Sequence, residues 1–212
     1  MPLQSSDLHG NAPDKSATAL LLIDLINDLE FPEGADLLSA AIAVSKNVRS
    51  LKQHAQEAGI PAIYVNDNFG RWRSDFAAQV RHCLEDDVRG RPLAELLHPN
   101  PHDYFVLKPK HSGFYSTCLE VLLAHLHVRR LILTGISGNN CVLFTASDAY
   151  LRDFQLHIPA DCVCSNTEQE NAAALAHMQN VLKADISPST TLDLRVLAGS
   201  PKTQVDGPSL RG

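Results

Sequence analysis

Three side chains far apart in this chain could together cleave a carbonyl compound: a carboxylate at Asp24, an ammonium at Lys108 and a thiol at Cys141. Cys141 has the most informative surroundings, LILTGISGNNCVLFTASDAY. Leu131, Ile132 and Leu133 read as a buried strand, Gly135 and Gly138 bracket a polar turn, and Val142, Leu143, Thr145, Ala146, Ala149 and Tyr150 suit a mostly buried helix. Cys141 is therefore expected where a strand hands over to a helix, among unpaired N–H groups at the positive end of the helix dipole. Such a setting lowers a thiol's pKa and favours the reactive thiolate. A small cysteine that merely packs would fit the same stretch.

The chemistry open to this set is acyl transfer. Cys141 would attack a carbonyl carbon. Asp24 would take the thiol proton and later give it to a leaving nitrogen. Lys108, remaining cationic, would stabilise the thiolate and keep Asp24 ionised. Backbone N–H groups of the turn from Ser137 to Cys141 would meet the developing oxyanion, each well-placed donor contributing roughly 3–4 kcal/mol. Taken singly, Asp24 could only cap a turn and Lys108 could be a solvated loop lysine.

These residues need elements that bring them together. Residues 19–23 (ALLLI) form an apolar run closed by Asp24. Asp36 can cap a helix in which Leu37, Ala41, Val44, Val48, Leu51, Ala55 and Ala58 recur every three or four residues, with Gly59 and Pro61 as its stop. A second strand covers residues 62–65, followed by Asn66 and Asp67. A long connection, 69–101, holds one helix over 74–84. A third strand, 104–107, ends at Lys108. Thr117 with Glu120, and Thr167 with Glu170, are capping boxes for two further helices. A fifth strand is expected at 155–159 and a short sixth at 185–187.

Strand and helix in alternation predict an α/β fold, doubly wound (Rossmann-like), with a parallel sheet between two helical layers. Ligands bind such sheets beyond the carboxyl ends of the strands. Asp24, Asn66 with Asp67, Lys108 and the turn before Cys141 all fall at those ends, so they share one rim.

Composition excludes several other classes. The net charge is −6, from 18 Lys and Arg against 24 Asp and Glu, with no basic cluster, so neither nucleic acid nor an anionic membrane is an expected partner. No apolar run reaches the roughly 18 residues of a transmembrane span. The amino terminus lacks a secretion-signal pattern, and the five cysteines form no disulfide framework, which together predict a cytoplasmic protein. The organisation expected is a loose lead-in over 1–16, one domain over 17–190, and an extension over 191–212 that is mobile from about 199.

LLLIDLINDLEF around Asp24, LKPKHSGFYST around Lys108 and LTGISGNNCVLFTASDAYLRDF around Cys141 together resemble the isochorismatase-like cysteine hydrolase family. That family includes nicotinamidases, N-carbamoylsarcosine amidases and ureidoacrylate hydrolases. The resemblance spans about residues 18–187. It implies a six-stranded parallel sheet, an Asp24, Lys108, Cys141 triad, and a cis peptide between Ile136 and Ser137 that aims the Ser137 and Cys141 N–H groups into an oxyanion hole. It also implies a homo-oligomer. The segment VNDNFGRWRSDF has Asp67 but lacks the neighbouring histidine of a nicotinamidase metal pocket, so no metal or other cofactor is expected, and nicotinamide is disfavoured. His82 reads as a surface residue, and His111 as an exposed loop histidine.

Phe31, Asn66, Trp72, Phe114 and Tyr115 lie past rim positions or in the covering connection, and are the expected substrate-binding wall for a small flat amide or aromatic acid derivative. Trp72 and Phe114 could equally be core anchors. Cys83 and Cys118 read as helix-face packing, Cys162 and Cys164 as strand-end packing. The expected activity is hydrolysis of a C–N bond in a small amide, ureide or carbamoyl compound through a thioester. Two rivals are vinyl-ether hydrolysis of the isochorismatase type, with Asp24 as acid, and a non-catalytic binding protein retaining the fold.

Overall fold

A computed structural model describes residues 15–70 and 75–199. Six strands make one sheet: β1 (Thr18–Ile23), β2 (Ala62–Asp67), β3 (Tyr104–Lys108), β4 (Arg130–Ile136), β5 (Gln155–His157) and β6 (Val163–Cys164). Their order is β3-β2-β1-β4-β5, with β6 also pairing on β4, and every pairing is parallel. All residues of β1 and β4 are buried. A sheet covered on both faces demands such continuous apolar runs.

The helices divide by face. Leu20 and Leu22 of β1, with Ile132 of β4, pack under α1 (Gly34–Glu57), α2 (Phe76–Glu85) and α3 (Arg91–Leu96). Ala19, Leu21, Ile23, Leu131 and Leu133 face α4 (Leu119–His125), α5 (Leu143–Tyr150) and α6 (Glu168–Asn180). The alternation follows from the strand period of two. A last helix, α7 (Leu194–Ala198), lays Leu194, Leu197 and Ala198 on the first layer, and Arg130 holds the carbonyls of Leu197 and Gly199. None of the helices described is long and apolar enough to cross a membrane. The expected looseness of 1–14 and of the tail past 199 falls outside the described residues.

Several local expectations are corrected. Residues 185–187 contribute one bridge, between His157 and Asp185, and the sixth strand is β6 instead. Asp36 sits in the first turn of α1, whose start at Gly34 has no side-chain cap. The Thr117 hydroxyl donates to the Gly113 carbonyl and accepts from Leu119 N–H, so it shapes the loop before α4 and forms no capping box. Thr167 does cap α6, accepting from Glu170 N–H at 3.2 Å while its hydroxyl meets the Glu170 carboxylate at 3.1 Å. The connection 69–101 contains a second helix, α3, which its short length hid.

In chain order β1 leads outward to β2 and β3, whereas β4 starts the other half, so the order reverses between β1 and β4. A crevice opens at the carboxyl ends of these two strands. Gly135 lets them close on each other there: its φ is +128°, and a Cβ would lie 2.0 Å from the Ile23 carbonyl oxygen. Gly59, at φ +74°, has open space around its missing Cβ. Gly135→Ala is expected to remove about 3 kcal/mol of stability, and Gly59→Ala about 1 kcal/mol, in urea unfolding. Equal losses at the two sites would show that the contact with Ile23 is not what constrains Gly135.

Candidate active site

The carboxyl ends of four strands deliver the polar groups. Asp24 follows β1 in a left-handed conformation (φ 52°), with its N–H on the Val65 carbonyl at 3.0 Å. Its Oδ1 accepts the Asp67 N–H at 2.6 Å, and its Oδ2 lies 2.8 Å from Lys108 Nζ. Lys108 is 0% exposed and Asp24 4%. The ammonium also lies 3.4 Å from Asp67 Oδ2 and 3.4 Å from Cys141 Sγ. Asp67 and Lys108 are register partners on β2 and β3, which places their charges side by side. Asp24, Lys108 and Cys141, spread over more than a hundred residues of chain, thus meet around one ammonium.

The charges set each other's protonation. Burial raises the Asp24 pKa, against the pull of Lys108 and its hydrogen bonds. Burial alone would lower the Lys108 pKa, but Asp24, Cys141 and Asp67 together outweigh it and hold the amine protonated. The Cys141 thiol is pushed up to about 12, first by burial and then by Asp24, with Lys108 opposing. The expectation of a lowered thiol pKa is therefore corrected: desolvation and a carboxylate outweigh the cation. At rest the site holds a thiol with a base beside it.

The turn carrying Cys141 is fixed by side chains from α5 and from the segment after β6. The Ile136–Ser137 peptide is cis. Gly138–Val142 then makes one π-helical turn before α5 begins. Asn140 and Val142 N–H both donate to the Ser137 carbonyl, at 3.0 and 3.1 Å. The Thr145 hydroxyl donates to the Cys141 carbonyl at 2.7 Å, and Asn139 N–H to Ser165 Oγ at 3.1 Å. Ser137, Asn140 and Cys141 open on a cleft of about 410 Å³, with Asp24 at its floor and Phe31 and Asn166 on its walls.

Of the expected wall, Phe31 lines this cleft. Asn66 does not: it is fully buried, and its amide donates to the Ile26 carbonyl at 2.7 Å, bracing the chain just after Asp24. Phe114 is a core residue, with its ring against Phe154 and under the Arg152 guanidinium. Tyr115 is 58% exposed and lies off the cleft. Trp72 falls outside the described residues. Cys83, Cys162 and Cys164 are buried packing residues as expected, but Cys118 is exposed.

Two groups escaped the sequence reading. Asp67, noted only as a rim residue, is a second carboxylate on Lys108; its place opposite Lys108 is a matter of register. His111 is exposed, but its Nδ1 lies 3.8 Å from Cys141 Sγ on the wall of the cleft. Its spacing from Lys108 was visible, but nothing local said which way the loop turns. His82, read as a surface residue, bridges Asp86 at 2.6 Å and Asp28 at 3.2 Å, tying α2 to the loop after β1. Among the described residues no group of three or more His, Cys, Asp or Glu is arranged to hold a metal ion.

The chain is similar to known proteins. A family model described as the isochorismatase domain matches residues 18–187. The chain belongs to the isochorismatase family. It is an isochorismatase-family hydrolase, and 43% identical over 173 residues to the isochorismatase family protein YaaI of Bacillus subtilis, covering 82% of this chain and 94% of that one. It is 28% identical to the ureidoacrylate amidohydrolase RutB of Cronobacter sakazakii, over 68% of this chain and 72% of the relative. The N-carbamoylsarcosine amidase of Thermoplasma acidophilum shares the fold, with a TM-score of 0.63 at 22% identity, over 83% and 98% of the two chains.

The opposed influences of Asp24 and Lys108 on the sulfur can be separated. Because Asp24 raises the thiol pKa and Lys108 lowers it, Asp24→Asn should speed iodoacetamide alkylation of Cys141 at pH 8 about tenfold, and Lys108→Met should slow it by a similar factor. Shifts in the same direction would contradict this electrostatic account.

Proposed function

We propose that this hydrolase cleaves the C–N bond of a small amide, ureide or carbamoyl compound through a thioester on Cys141. The observation that carries the reading is the position of Lys108 Nζ, 2.8 Å from Asp24 Oδ2 and 3.4 Å from Cys141 Sγ in one buried cluster. Asp24 takes the thiol proton as sulfur attacks the carbonyl carbon, and Lys108 stabilises the sulfur's developing negative charge. The oxyanion is held by the Ser137 and Cys141 N–H groups. Collapse breaks the C–N bond, Asp24 protonates the nitrogen, and ammonia or an amine leaves. Water then releases the acid and restores the thiol. The amidohydrolase names of the relatives support a C–N bond as the target.

The cleft supports a small substrate with hydrogen-bonding edges. Asn27, Asn140 and Asn166 line it beside the Phe31 and Phe69 rings. That combination fits a planar amide or ureide, whose N–H and C=O edges need partners and whose faces pack on aromatic carbon.

A second reading is favoured by the raised pKa of Asp24, which also suits a carboxyl group acting as an acid on a vinyl ether. In that reaction Cys141 would be dispensable. Cys141→Ala assayed by ammonia release on amides and by pyruvate release from isochorismate separates the two. The thioester reading requires amide turnover to fall by about 10³-fold or more. Near-full amide turnover in Cys141→Ala or Cys141→Ser would remove the nucleophile assignment.

The pH dependence follows from Asp24. Its carboxylate must be ionised to act as base, and burial raises its pKa, so kcat/KM should fall with acid at a pH above the ordinary carboxylate range. A pH–rate profile still flat at pH 4 would contradict Asp24 as that base.

A further inference from the structure

We propose that His111 is the general base of the second half-reaction, accepting a proton from the water that hydrolyses the thioester on Cys141. The inference rests on the thioester reading and concerns the attack of water on the acyl carbon. Lys108 meets the sulfur from the buried side and is 0% exposed, while Asp24, 4% exposed, forms the floor of the cleft. Both Asp24 oxygens are also engaged, Oδ1 by the Asp67 N–H and Oδ2 by the Lys108 ammonium. Once an acyl group occupies Sγ, water must reach its carbonyl carbon from the cleft. His111 is on that side, with Nδ1 3.8 Å from Sγ. A water seated between imidazole and acyl carbon is within reach of both.

The imidazole is held in register with the nucleophile. The next residue, Ser112, is buried and donates from Oγ to Asp148 Oδ2 on α5 at 2.5 Å. Gly113 N–H donates to Thr145 Oγ1 at 3.0 Å, and that same hydroxyl donates to the Cys141 carbonyl at 2.7 Å. Two hydrogen bonds through one side chain thus link the His111 loop to the backbone of Cys141. On the outer side the His111 ring rests against Phe144, with centroids 5.5 Å apart. Gly113 leaves little room for a side chain: a Cβ there would lie 2.8 Å from Val65 Cγ1. Imidazole is the side chain suited to proton transfer near neutrality.

The step balances within the site. Water gives one proton to the imidazole as its oxygen bonds the acyl carbon. The tetrahedral intermediate collapses with cleavage of the C–S bond, and the imidazolium returns the proton to the sulfur. Asp24, which gave up its proton to the leaving nitrogen in the first half, is already ionised for the next cycle.

The test uses 4-nitrophenyl acetate with the full chain, because this activated ester acylates a thiol and reports the first step by absorbance. In His111→Gln the burst of 4-nitrophenolate should keep its rate, while steady-state turnover falls about 10²-fold. Intact-mass spectrometry of the quenched variant should then show the acetyl adduct accumulated on Cys141. Hydroxylamine, which attacks thioesters without a base, should restore turnover in His111→Gln far more than it accelerates the unsubstituted enzyme. A structural role alone would slow burst and turnover together, and that result, or unchanged turnover, overturns the proposal while leaving the thioester intact. Turnover of the ester by Cys141→Ala at the rate of the unsubstituted enzyme overturns the thioester reading and this inference with it.

Discussion

Lys108 carries its positive charge with no side-chain surface in water. Removing an ammonium from water costs several kcal/mol even after the protein relaxes, so such a group survives only inside a shell of opposite charge and hydrogen bonds. Asp24 at 2.8 Å and Asp67 at 3.4 Å are that shell, and they come from the ends of two other strands. The ammonium therefore ties β1, β2 and β3 together at the rim. In turn the backbone answers for the carboxylates: Asp67 N–H holds Asp24, and Asn66 braces the chain just beyond it through the Ile26 carbonyl.

That cluster also decides how the sulfur behaves. A thiol at the start of a helix beside a lysine would, in the open, ionise easily. Here burial and the nearby carboxylate oppose both effects, and the thiol is held protonated. A stored thiolate is replaced by a thiol whose proton acceptor is already within reach. In the proposed reaction the raised pKa of Asp24 would serve the same end, since a more basic carboxylate takes the proton with a smaller free-energy penalty. The lysine then has a single electrostatic task, to offset whichever neighbour is negative.

Beyond the cluster, the cleft is made by connections more than by the sheet. The loop after β1 brings Asn27 and Phe31, the connection after β2 brings Phe69, and the loop after β3 brings His111. The loops after β1 and β3 are fastened to neighbouring helices. Gly90 packs so closely on this first loop that a Cβ would lie 1.7 Å from the Asn27 carbonyl oxygen, and His82 holds Asp28 from α2. Walls assembled this way can vary in side chain while the charged floor stays the same, a division of labour usual for sites set on rigid sheets.

The sequence by itself determined the layered α/β architecture, because strands buried on both faces must be continuous apolar runs and helices must repeat every three or four residues. It also determined that Asp24, Lys108 and Cys141 share a rim, since Asp24 and Lys108 close such runs and Cys141 ends the turn that follows another. Elements and contacts without a local pattern were not legible. The six residues of α3 and the two of β6 are too short to show a period, and they exist because neighbours pack on them. Whether Asn66 and Phe114 face a ligand or the interior, and that His111 turns back onto the sulfur, depended on loop paths set by distant partners such as Ile26, Arg152 and Thr145. The direction of the thiol's pKa likewise belonged to the tertiary structure, because desolvation depends on what surrounds a group in space, and the order of residues along a chain does not contain that quantity.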